Sequence, residues 1–343
     1  MTDVTAADPV RLGLLGAGRI GRTHARSIAA TEGARLVAVA DPVEAAVAAV
    51  VRMTGAQVAS PEELLNDPAI EGVLIATPTD LHADLIERAA DAGKAVFCEK
   101  PLDLDLSRAQ QGVAAAARRG VPLMIGFNRR FDPSFRRLRE EIDGGRIGDV
   151  ELVQITSRDP APPPLAYIER SGGLFRDMMI HDLDMARFLV GESIVEVSAA
   201  GSALVDEAIG DAGDVDTAVA VLRSSGGRLC VISNSRRAVY GYDQRIEVHG
   251  SAGMLSAGNP VATTVTRADG SGFVTDPLND FFMDRYADAY RLEMAAFCAV
   301  VRGGDVPYPN GHDGLAALAI ADAASESLAT GRTVPVKRLD STP

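Results

Sequence analysis

The chain has 343 residues, of which 47% are hydrophobic and 24% are charged. This length favours two domains over a single hydrophobic core, and the composition is typical of a globular protein. The formal net charge of -13 argues against a nucleic-acid or anionic-membrane partner, because both are bound by basic surfaces.

The cysteines and the N-terminus bear on the cellular compartment. Cys98, Cys230 and Cys298 are odd in number and scattered, so they predict neither a zinc site nor a disulfide framework. We expect reduced, mostly buried thiols in a cytoplasmic protein. Residues 1–10 lack the basic stretch and apolar run of a secretory signal, and no segment is apolar for long enough to span a membrane.

The first 125 residues alternate short apolar strands with helical patterns. Strands are predicted at residues 12–15, 36–40, 72–76, 95–98 and 123–125. Helices are predicted at residues 20–31, 43–54, 81–92 and 106–119, with a further helix start at Ser60 and Pro61. This alternation predicts an α/β fold with a parallel sheet covered on both faces, so we assign residues 1–126 to a doubly wound Rossmann domain.

After about residue 127 the pattern changes to strands separated by glycine-rich turns. Strands are predicted at residues 150–156, 194–199, 218–222, 229–233 and 246–248, and two long helices at 284–301 and 315–329. The prolines of residues 160–164 indicate a stiff, extended loop beside this sheet. We therefore expect residues 127–343 to form an α+β domain with a largely antiparallel open sheet.

Residues 16–21, with the sequence Gly-Ala-Gly-Arg-Ile-Gly, lie between the first predicted strand and helix. Gly16 allows a tight turn, Gly18 lets a pyrophosphate approach the backbone, and Gly21 lets helix and strand pack closely. Arg19 and Ile20 open the helix, whose N-terminal N–H groups favour an anion. The pattern predicts a dinucleotide site, although glycine-rich turns also join strands and helices that bind no nucleotide.

Asp41 ends the second predicted strand, 20 residues beyond Gly21. An acid at this place accepts hydrogen bonds from the 2'-hydroxyl of the adenosine ribose. The same carboxylate would repel a 2'-phosphate, so the sequence predicts NAD over NADP. The alternative is that Asp41 caps the helix that follows Pro42.

Glu99 and Lys100 follow directly on an apolar strand. In a doubly wound sheet the carboxyl ends of the strands are where ligands bind, and a lysine there can polarise a substrate oxygen or share in its proton transfer. A surface salt bridge between the two residues is the alternative. Thr77 and Pro78 end the preceding strand and His82 lies just inside the next helix, where a turn and a helix cap would also explain them.

Asp177 and His181 are four residues apart in a segment that leads into a helix, so we expect them on one helix face. The ordinary pKa of histidine suits proton abstraction from an alcohol near neutral pH, and a nearby carboxylate orients the ring. The alternative is that Asp177 caps the helix and His181 is a packed core residue. No second histidine has ligand spacing, so we expect no metal.

Together these segments resemble the Gfo/Idh/MocA family of glucose-fructose oxidoreductases and inositol dehydrogenases, from about residue 11 to residue 333. The resemblance rests on residues 16–21, on Glu99-Lys100-Pro101, and on Asp177 with His181. Within the family, four further segments are most similar to the inositol dehydrogenases, namely residues 126–133, 157–164, 175–182 and 240–243.

The resemblance implies a role for each matching residue. Lys100 would touch both nicotinamide and substrate, His181 would be the general base, and Asp177 would bind a substrate hydroxyl or hold His181. Residues expected to line the cofactor site are Gly16, Gly18, Arg19, Ile20, Gly21, Asp41, Thr77, Pro78, His82, Glu99 and Lys100. Candidates for the remaining substrate hydroxyls are Arg129, Asp159 and one of Tyr240 or Tyr242.

The resemblance also implies a reaction and an assembly. An axial hydroxyl of myo-inositol would be oxidised to 2-keto-myo-inositol (scyllo-inosose) with NAD, as a step of inositol catabolism. The enzyme would be a homodimer or homotetramer that pairs the sheets of its second domains. Two alternatives stay open, namely another cyclic polyol or sugar as substrate, such as scyllo-inositol or a glucose-like sugar, and an NAD-binding regulatory protein without catalysis.

Overall fold

A computed structural model describes residues 8–339, which fold into two compact units. Of the described residues, the first unit comprises 8–131, Asp288–Leu315 and Leu339, and the second comprises Asp132–Ala287 with Ala316–Arg338. The predicted domain boundary between residues 126 and 127 stays a prediction, and the compact units differ from it by placing Asp288–Leu315 in the first. Residues 1–7, on which much of the prediction about a secretory signal rests, lie outside the described residues.

A six-stranded parallel sheet forms the centre of the first unit. Its strands are β1 (Val10–Leu15), β2 (Ala34–Ala40), β3 (Gln57–Val58), β4 (Gly72–Ile75), β5 (Ala95–Cys98) and β6 (Leu123–Ile125). Their order is β3-β2-β1-β4-β5-β6, so the direction of strand addition reverses at β1 and β4. This is the doubly wound arrangement that the sequence predicts, and its ligand crevice lies at the carboxyl ends of the strands near that reversal.

Five helices connect these strands. They are α1 (Arg19–Ala29), α2 (Glu44–Thr54), α3 (Pro61–Asn66), α4 (His82–Asp91) and α5 (Leu106–Arg119). The helix start predicted at Ser60 is confirmed, because the Ser60 hydroxyl accepts from the Glu63 N–H and the Glu63 carboxylate accepts from the Ser60 N–H. No helix within residues 8–339 is both long enough and apolar enough to cross a membrane.

The second unit is built on a mixed seven-stranded sheet. Its strands and a separate hairpin are β7 (Val150–Arg158), β8 (Ile194–Ser202), β9 (Thr217–Ser224), β10 (Leu229–Ser235), β11 (Asp243–Gly250), β12 (Gly253–Ala257), β13 (Thr266–Asp269), β14 (Gly272–Thr275) and β15 (Val334–Pro335). The sheet order is β12-β11-β7-β10-β9-β8-β15, and β13 pairs only with β14. The predicted largely antiparallel sheet is confirmed, with one parallel pair, β7 and β10, at its centre.

The remaining helices lie in and after this sheet. They are α6 (Pro133–Asp143), α7 (Leu165–Ser171), α8 (Gly173–Asp177), α9 (Ile180–Val190), α10 (Glu207–Asp211), α11 (Phe282–Arg285), α12 (Ala287–Val301) and α13 (Gly311–Thr330). Residues 160–164 carry neither helix nor strand, as predicted, and α7 follows them at once. Helix α9 packs against β7 and β10 and thereby places the residues at its start near the ends of these two strands.

One acidic side chain lies wholly inside the first unit. Glu293, on α12, is fully buried, and neither of its carboxyl oxygens has a hydrogen-bond partner among the described residues. Burial raises the pKa of Glu293 well above the ordinary value of 4.5, and the negative charge of Glu99 raises it further. Glu293 therefore keeps its proton to a higher pH in the folded protein than an exposed glutamate does.

We expect Glu293→Gln to raise Tm at pH 8 and to leave Tm unchanged near pH 4. The folded protein holds the Glu293 proton more tightly than the unfolded chain does. The free energy of unfolding of the wild type therefore falls as pH rises above 4.5, by about 1.4 kcal/mol for each unit between the two pKa values. Glutamine removes this loss, because it stays neutral in both states. Thermal unfolding followed by circular dichroism from pH 4 to 8 tests the expectation, and a Tm difference that does not change with pH would contradict it.

Candidate active site

The glycine-rich turn after β1 has three glycines in three different environments. Gly16 has a φ of +96°, and a Cβ there would lie 2.4 Å from the carbonyl oxygen of Ala76. A Cβ on Gly21 would lie 2.0 Å from the carbonyl oxygen of Gly16, whereas a Cβ on Gly18 would meet nothing within 4 Å. The protein itself thus requires glycine at 16 and 21, while the space beside Gly18 is open to a ligand.

Helix α1 begins directly after this open space. Its N-cap residue is Gly18, which has no side chain. The N–H groups that open the helix at Arg19 and Ile20 are therefore not capped by the N-cap residue. These N–H groups and the positive end of the helix dipole suit a phosphate. The turn therefore fits the pyrophosphate of a dinucleotide.

Asp41 lies at the carboxyl end of β2 and is hydrogen-bonded to the glycine turn. Its Oδ2 accepts from the Ala17 N–H at 2.7 Å and its Oδ1 accepts from the Val43 N–H at 2.8 Å. The alternative that Asp41 is the N-cap of α2 is wrong, because Val43 occupies that position. The carboxylate instead lies between β2 and the turn that would receive the pyrophosphate.

The Glu99-Lys100-Pro101 turn follows the end of β5. Glu99 is buried and its Oε1 lies 2.6 Å from Nε2 of His24 on α1, while its Oε2 accepts from the Lys100 N–H at 3.2 Å. The Glu99 carboxylate therefore lies buried against His24 and not at the surface. Lys100 itself is partly exposed at the carboxyl edge of the parallel sheet.

His82 is buried and joins two loops at this edge. Its Nδ1 lies 2.8 Å from the carbonyl oxygen of Pro101, and its Nε2 lies 3.0 Å from that of Thr77. Burial lowers the pKa of His82. His82 thus lies buried between the Thr77-Pro78 turn and the lysine-bearing turn and contacts the backbone of both. The Thr77 hydroxyl oxygen is buried without a hydrogen-bond partner among the described residues, as a group reserved for a ligand would be.

Asp177 and His181 lie on two successive helices of the second unit. Asp177 is the last residue of α8, His181 lies in the first turn of α9, and Met178 and Met179 separate the helices. The prediction that the two residues share one face of one helix is wrong, because the helix is interrupted between them. They are nevertheless only four residues apart across a short turn.

The Asp177 carboxylate has two partners that the sequence analysis missed. Its Oδ1 accepts from the Tyr167 hydroxyl at 2.8 Å, and its Oδ2 lies 3.5 Å from both terminal nitrogens of Arg236. Arg236 follows β10, has only 1% of its side chain exposed, and also lies 3.8 Å from Asp214. The signal in the sequence is an arginine pair directly after a strand whose alternate residues are buried.

Asp182, the residue after His181, makes its hydrogen bonds inside the protein. Asp182 is fully buried and accepts from Nδ2 of Asn234 at 2.9 Å and from Nε2 of Gln244 at 3.0 Å. These bonds join the start of α9 to β10 and β11, and so hold the backbone next to His181. Among residues 8–339 no three His, Cys, Asp or Glu side chains are grouped to hold a metal ion.

The other predicted substrate residues occupy different places. Arg129 is buried in a short 3-10 turn after β6, in the first unit, and Asp159 follows β7, in the second. The Tyr240 hydroxyl donates to Asp243 at 2.8 Å and accepts from Arg158 at 2.9 Å. Tyr242 is buried edge-on against Tyr286, with ring centres 5.8 Å apart.

The predicted residues divide between the two units. The first unit carries all the predicted cofactor residues with Lys100 and Arg129, and the second unit carries the rest. Within the first unit, the structure brings together the glycine turn, Asp41 and the Thr77 and Lys100 turns at one edge of the sheet. Within the second, it brings Asp177 against Tyr167 and Arg236.

Comparison with known proteins gives matches over almost the whole chain. Residues 10–127 match the oxidoreductase family with an NAD-binding Rossmann fold, and residues 135–256 match the GFO/IDH/MocA C-terminal domain. Inositol 2-dehydrogenase of Rhizobium meliloti (strain 1021) is 53% identical over 327 residues, which cover 95% of this chain and 99% of the relative. Myo-inositol 2-dehydrogenase of Thermotoga maritima is 46% identical over 332 residues, which cover 96% of this chain and 99% of the relative.

A solved structure extends the similarity to the fold. Myo-inositol dehydrogenase from Lactobacillus casei, in complex with NAD(H) and myo-inositol, is 27% identical with a TM-score of 0.87, covering 97% of this chain and 98% of that chain. The first unit is therefore an NAD-binding Rossmann domain, as its glycine turn and Asp41 indicate. The chain belongs to the Gfo/Idh/MocA family of oxidoreductases.

Proposed function

We propose that the chain is an NAD-dependent dehydrogenase that oxidises an axial hydroxyl of myo-inositol to the ketone, giving 2-keto-myo-inositol (scyllo-inosose) and NADH. The observation that supports myo-inositol as the substrate is the similarity to inositol 2-dehydrogenases along almost the full chain. The carboxylate and imidazole at Asp177 and His181 and the ammonium at Lys100 supply the chemistry that such an oxidation needs.

The first unit would bind NAD and present Lys100. The N–H groups at the start of α1 would hold the pyrophosphate beside Gly18, and Asp41 would accept from the ribose hydroxyls. When bound, NAD supplies the hydride acceptor at nicotinamide C4. The Lys100 ammonium would stabilise the alkoxide that develops on the reacting hydroxyl.

The second unit would hold the polyol and accept its proton. His181 would take the hydroxyl proton on its imidazole as general base. The contacts of Asp177 support a hydrogen-bond-accepting role, because Tyr167 donates to it and the buried Arg236 lies beside it. Such a carboxylate can accept from a substrate hydroxyl or orient His181, and Arg129, Asp159 and Tyr240 or Tyr242 are the candidates for other hydroxyls.

Asp41→Ala is expected to raise KM for NAD by about 10-fold, with little change in kcat at saturating NAD, because it removes binding that ground and transition states share. The preference for NAD over NADP should fall, because the carboxylate that repels a 2'-phosphate is gone. Steady-state kinetics with both cofactors measure the two effects. Asp91→Ala, at an exposed position at the end of α4, is the matched control. A wild-type enzyme that prefers NADP would contradict the assignment of Asp41.

We also propose that the enzyme is a cytoplasmic homodimer or homotetramer that pairs the open faces of its second sheet. Val219, Val221 and Leu229 are each more than 40% exposed on one face of β9 and β10, where a monomer would leave them in water. The buried, unpaired thiols of Cys98, Cys230 and Cys298 support a reducing compartment.

Val221→Lys is expected to lower the molecular mass in solution, because a charge placed within a paired apolar face is unfavourable. Light scattering after gel filtration measures the mass of wild type and variant. Val239→Lys, at a position that is 91% exposed and outside these strands, is the control. A wild type that elutes as a monomer would contradict the proposed assembly.

The proposed reaction is tested by following absorbance at 340 nm with NAD and a panel of inositol isomers and aldoses. We expect the highest kcat/KM with myo-inositol. A clear preference for scyllo-inositol or for an aldose would overturn the assignment of myo-inositol as substrate but leave the assignment as a dehydrogenase intact. If NAD binds but no polyol or sugar of the panel supports its reduction, the proposal that the protein is an enzyme would be contradicted and a regulatory role would be favoured.

A further inference from the structure

The two chain neighbours of Lys100 are each hydrogen-bonded to a buried histidine. On one side, Glu99 bonds to His24 of α1, and on the other the Pro101 carbonyl oxygen bonds to His82 of α4. Both imidazoles are at most 1% exposed. His24 has no part in the proposed chemistry, and its burial excludes contact with substrate, so its place in the structure needs another reason.

His24 is held in a fixed orientation by aromatic rings. It lies on the buried face of α1, one turn beyond Gly21. Its ring packs edge-on against Phe97 of β5, with centres 5.0 Å apart, and against Tyr290 of α12, with centres 5.6 Å apart. The Nε2 atom is therefore fixed relative to α1, and α1 is the helix whose N-terminus fits the pyrophosphate.

The Glu99 carboxylate connects His24 to the backbone of Lys100. One of its carboxyl oxygens meets His24 at 2.6 Å and the other accepts from the Lys100 N–H at 3.2 Å. A Cβ on Gly126 would lie only 3.1 Å from the carboxyl carbon of Glu99, so the carboxylate is closely confined. Glu99 thus joins the His24 ring of α1 to the backbone of the lysine-bearing turn.

We propose that His24 is a positioning residue for Lys100. Acting through Glu99, it fixes the lysine-bearing turn to α1, so that the helix which receives the pyrophosphate also sets the position of the lysine. The inference rests on the proposed function in that Lys100 acts on the reacting hydroxyl. Its physical basis is that a displacement of about 1 Å at a catalytic group can cost about 100-fold in rate.

Two substitutions of His24 distinguish the effect of its hydrogen bond on kcat from the effect of its side-chain volume. His24→Leu removes both ring nitrogens at similar size, whereas His24→Gln keeps an N–H donor near the position of Nε2. We expect His24→Leu to lower kcat by about 10- to 100-fold and His24→Gln to recover it to within about 3-fold of wild type. Ile28→Val, on the same buried face of α1 and away from the turn, should leave kcat unchanged.

A double-mutant cycle with Lys100→Ala distinguishes positioning from general damage to the fold. If His24 acts through Lys100, His24→Leu should lower kcat by less than about 2-fold once the lysine is absent. Equal losses in the two backgrounds would overturn the proposal. Glu99→Gln, measured in the same two backgrounds, replaces His24→Leu if that variant does not fold, and the same two outcomes apply to it.

A structural measurement keeps this proposal separate from the proposed reaction. Crystal structures of wild type and His24→Leu with NAD would show whether the turn at residues 99–101 has moved relative to α1. A shift of more than about 1 Å would support the positioning role even if no polyol were oxidised, and a turn unmoved to within about 0.5 Å would overturn it.

Discussion

Replacing His181 or Lys100 by alanine is expected to lower kcat by about 100- to 10,000-fold, the usual contribution of a general base or of a group that stabilises a developing charge. His181→Ala removes the acceptor for the hydroxyl proton, and Lys100→Ala removes the cation beside the developing alkoxide. The Kd for NAD should change by less than about 2-fold for His181→Ala, because the predicted cofactor residues all belong to the first unit and His181 belongs to the second.

Two exposed residues provide matched controls. His249→Ala, on β11, and Lys337→Ala, near the C-terminus, remove the same side chains from positions outside the candidate site and should leave kcat unchanged. Steady-state kinetics with myo-inositol and NAD, with NAD binding followed separately, measure the effects. Near-wild-type kcat in both His181→Ala and Lys100→Ala would reject the assignment of the general base and of the lysine.

Arg236→Met is expected to lower the free energy of unfolding by about 3–5 kcal/mol, because it removes a buried cation from beside two half-buried carboxylates. Arg236 has 1% of its side chain exposed, and Asp177 and Asp214, each 13% exposed, both lie within 4 Å of it. Activity should fall as well, by about 10-fold or more, since the carboxylate proposed to bind substrate or orient His181 loses the group that holds it.

The adjacent arginine is the natural control for this substitution. Arg237 is exposed, so Arg237→Met should change the free energy of unfolding by less than about 0.5 kcal/mol. Urea unfolding measures stability, and kcat is measured on protein shown to be folded. Equal stability of the two variants would mean that the buried ion pairs of Arg236 contribute little, and unchanged kcat in Arg236→Met would exclude it from holding Asp177.

Features that depend on neighbours in the chain could be predicted from the sequence. Each strand of the parallel sheet is a short apolar run, so β1, β4 and β5 fall where the pattern predicts them. The cap at Ser60 needs only Glu63, three residues away. The break between α8 and α9 shows the limit of such reasoning, because spacing alone placed Asp177 and His181 on one continuous helix.

The sequence by itself determined the fold class, the family and the glycine turn, because these follow from local periodicity and from motifs of adjacent residues. Only the tertiary structure decided that Glu99 pairs with His24, 75 residues away, and that Arg236 lies against Asp177, 59 residues away. Such pairs form because buried charges need partners, and a strand order such as β7 beside β10 determines which side chains meet. No spacing in the chain encodes that order.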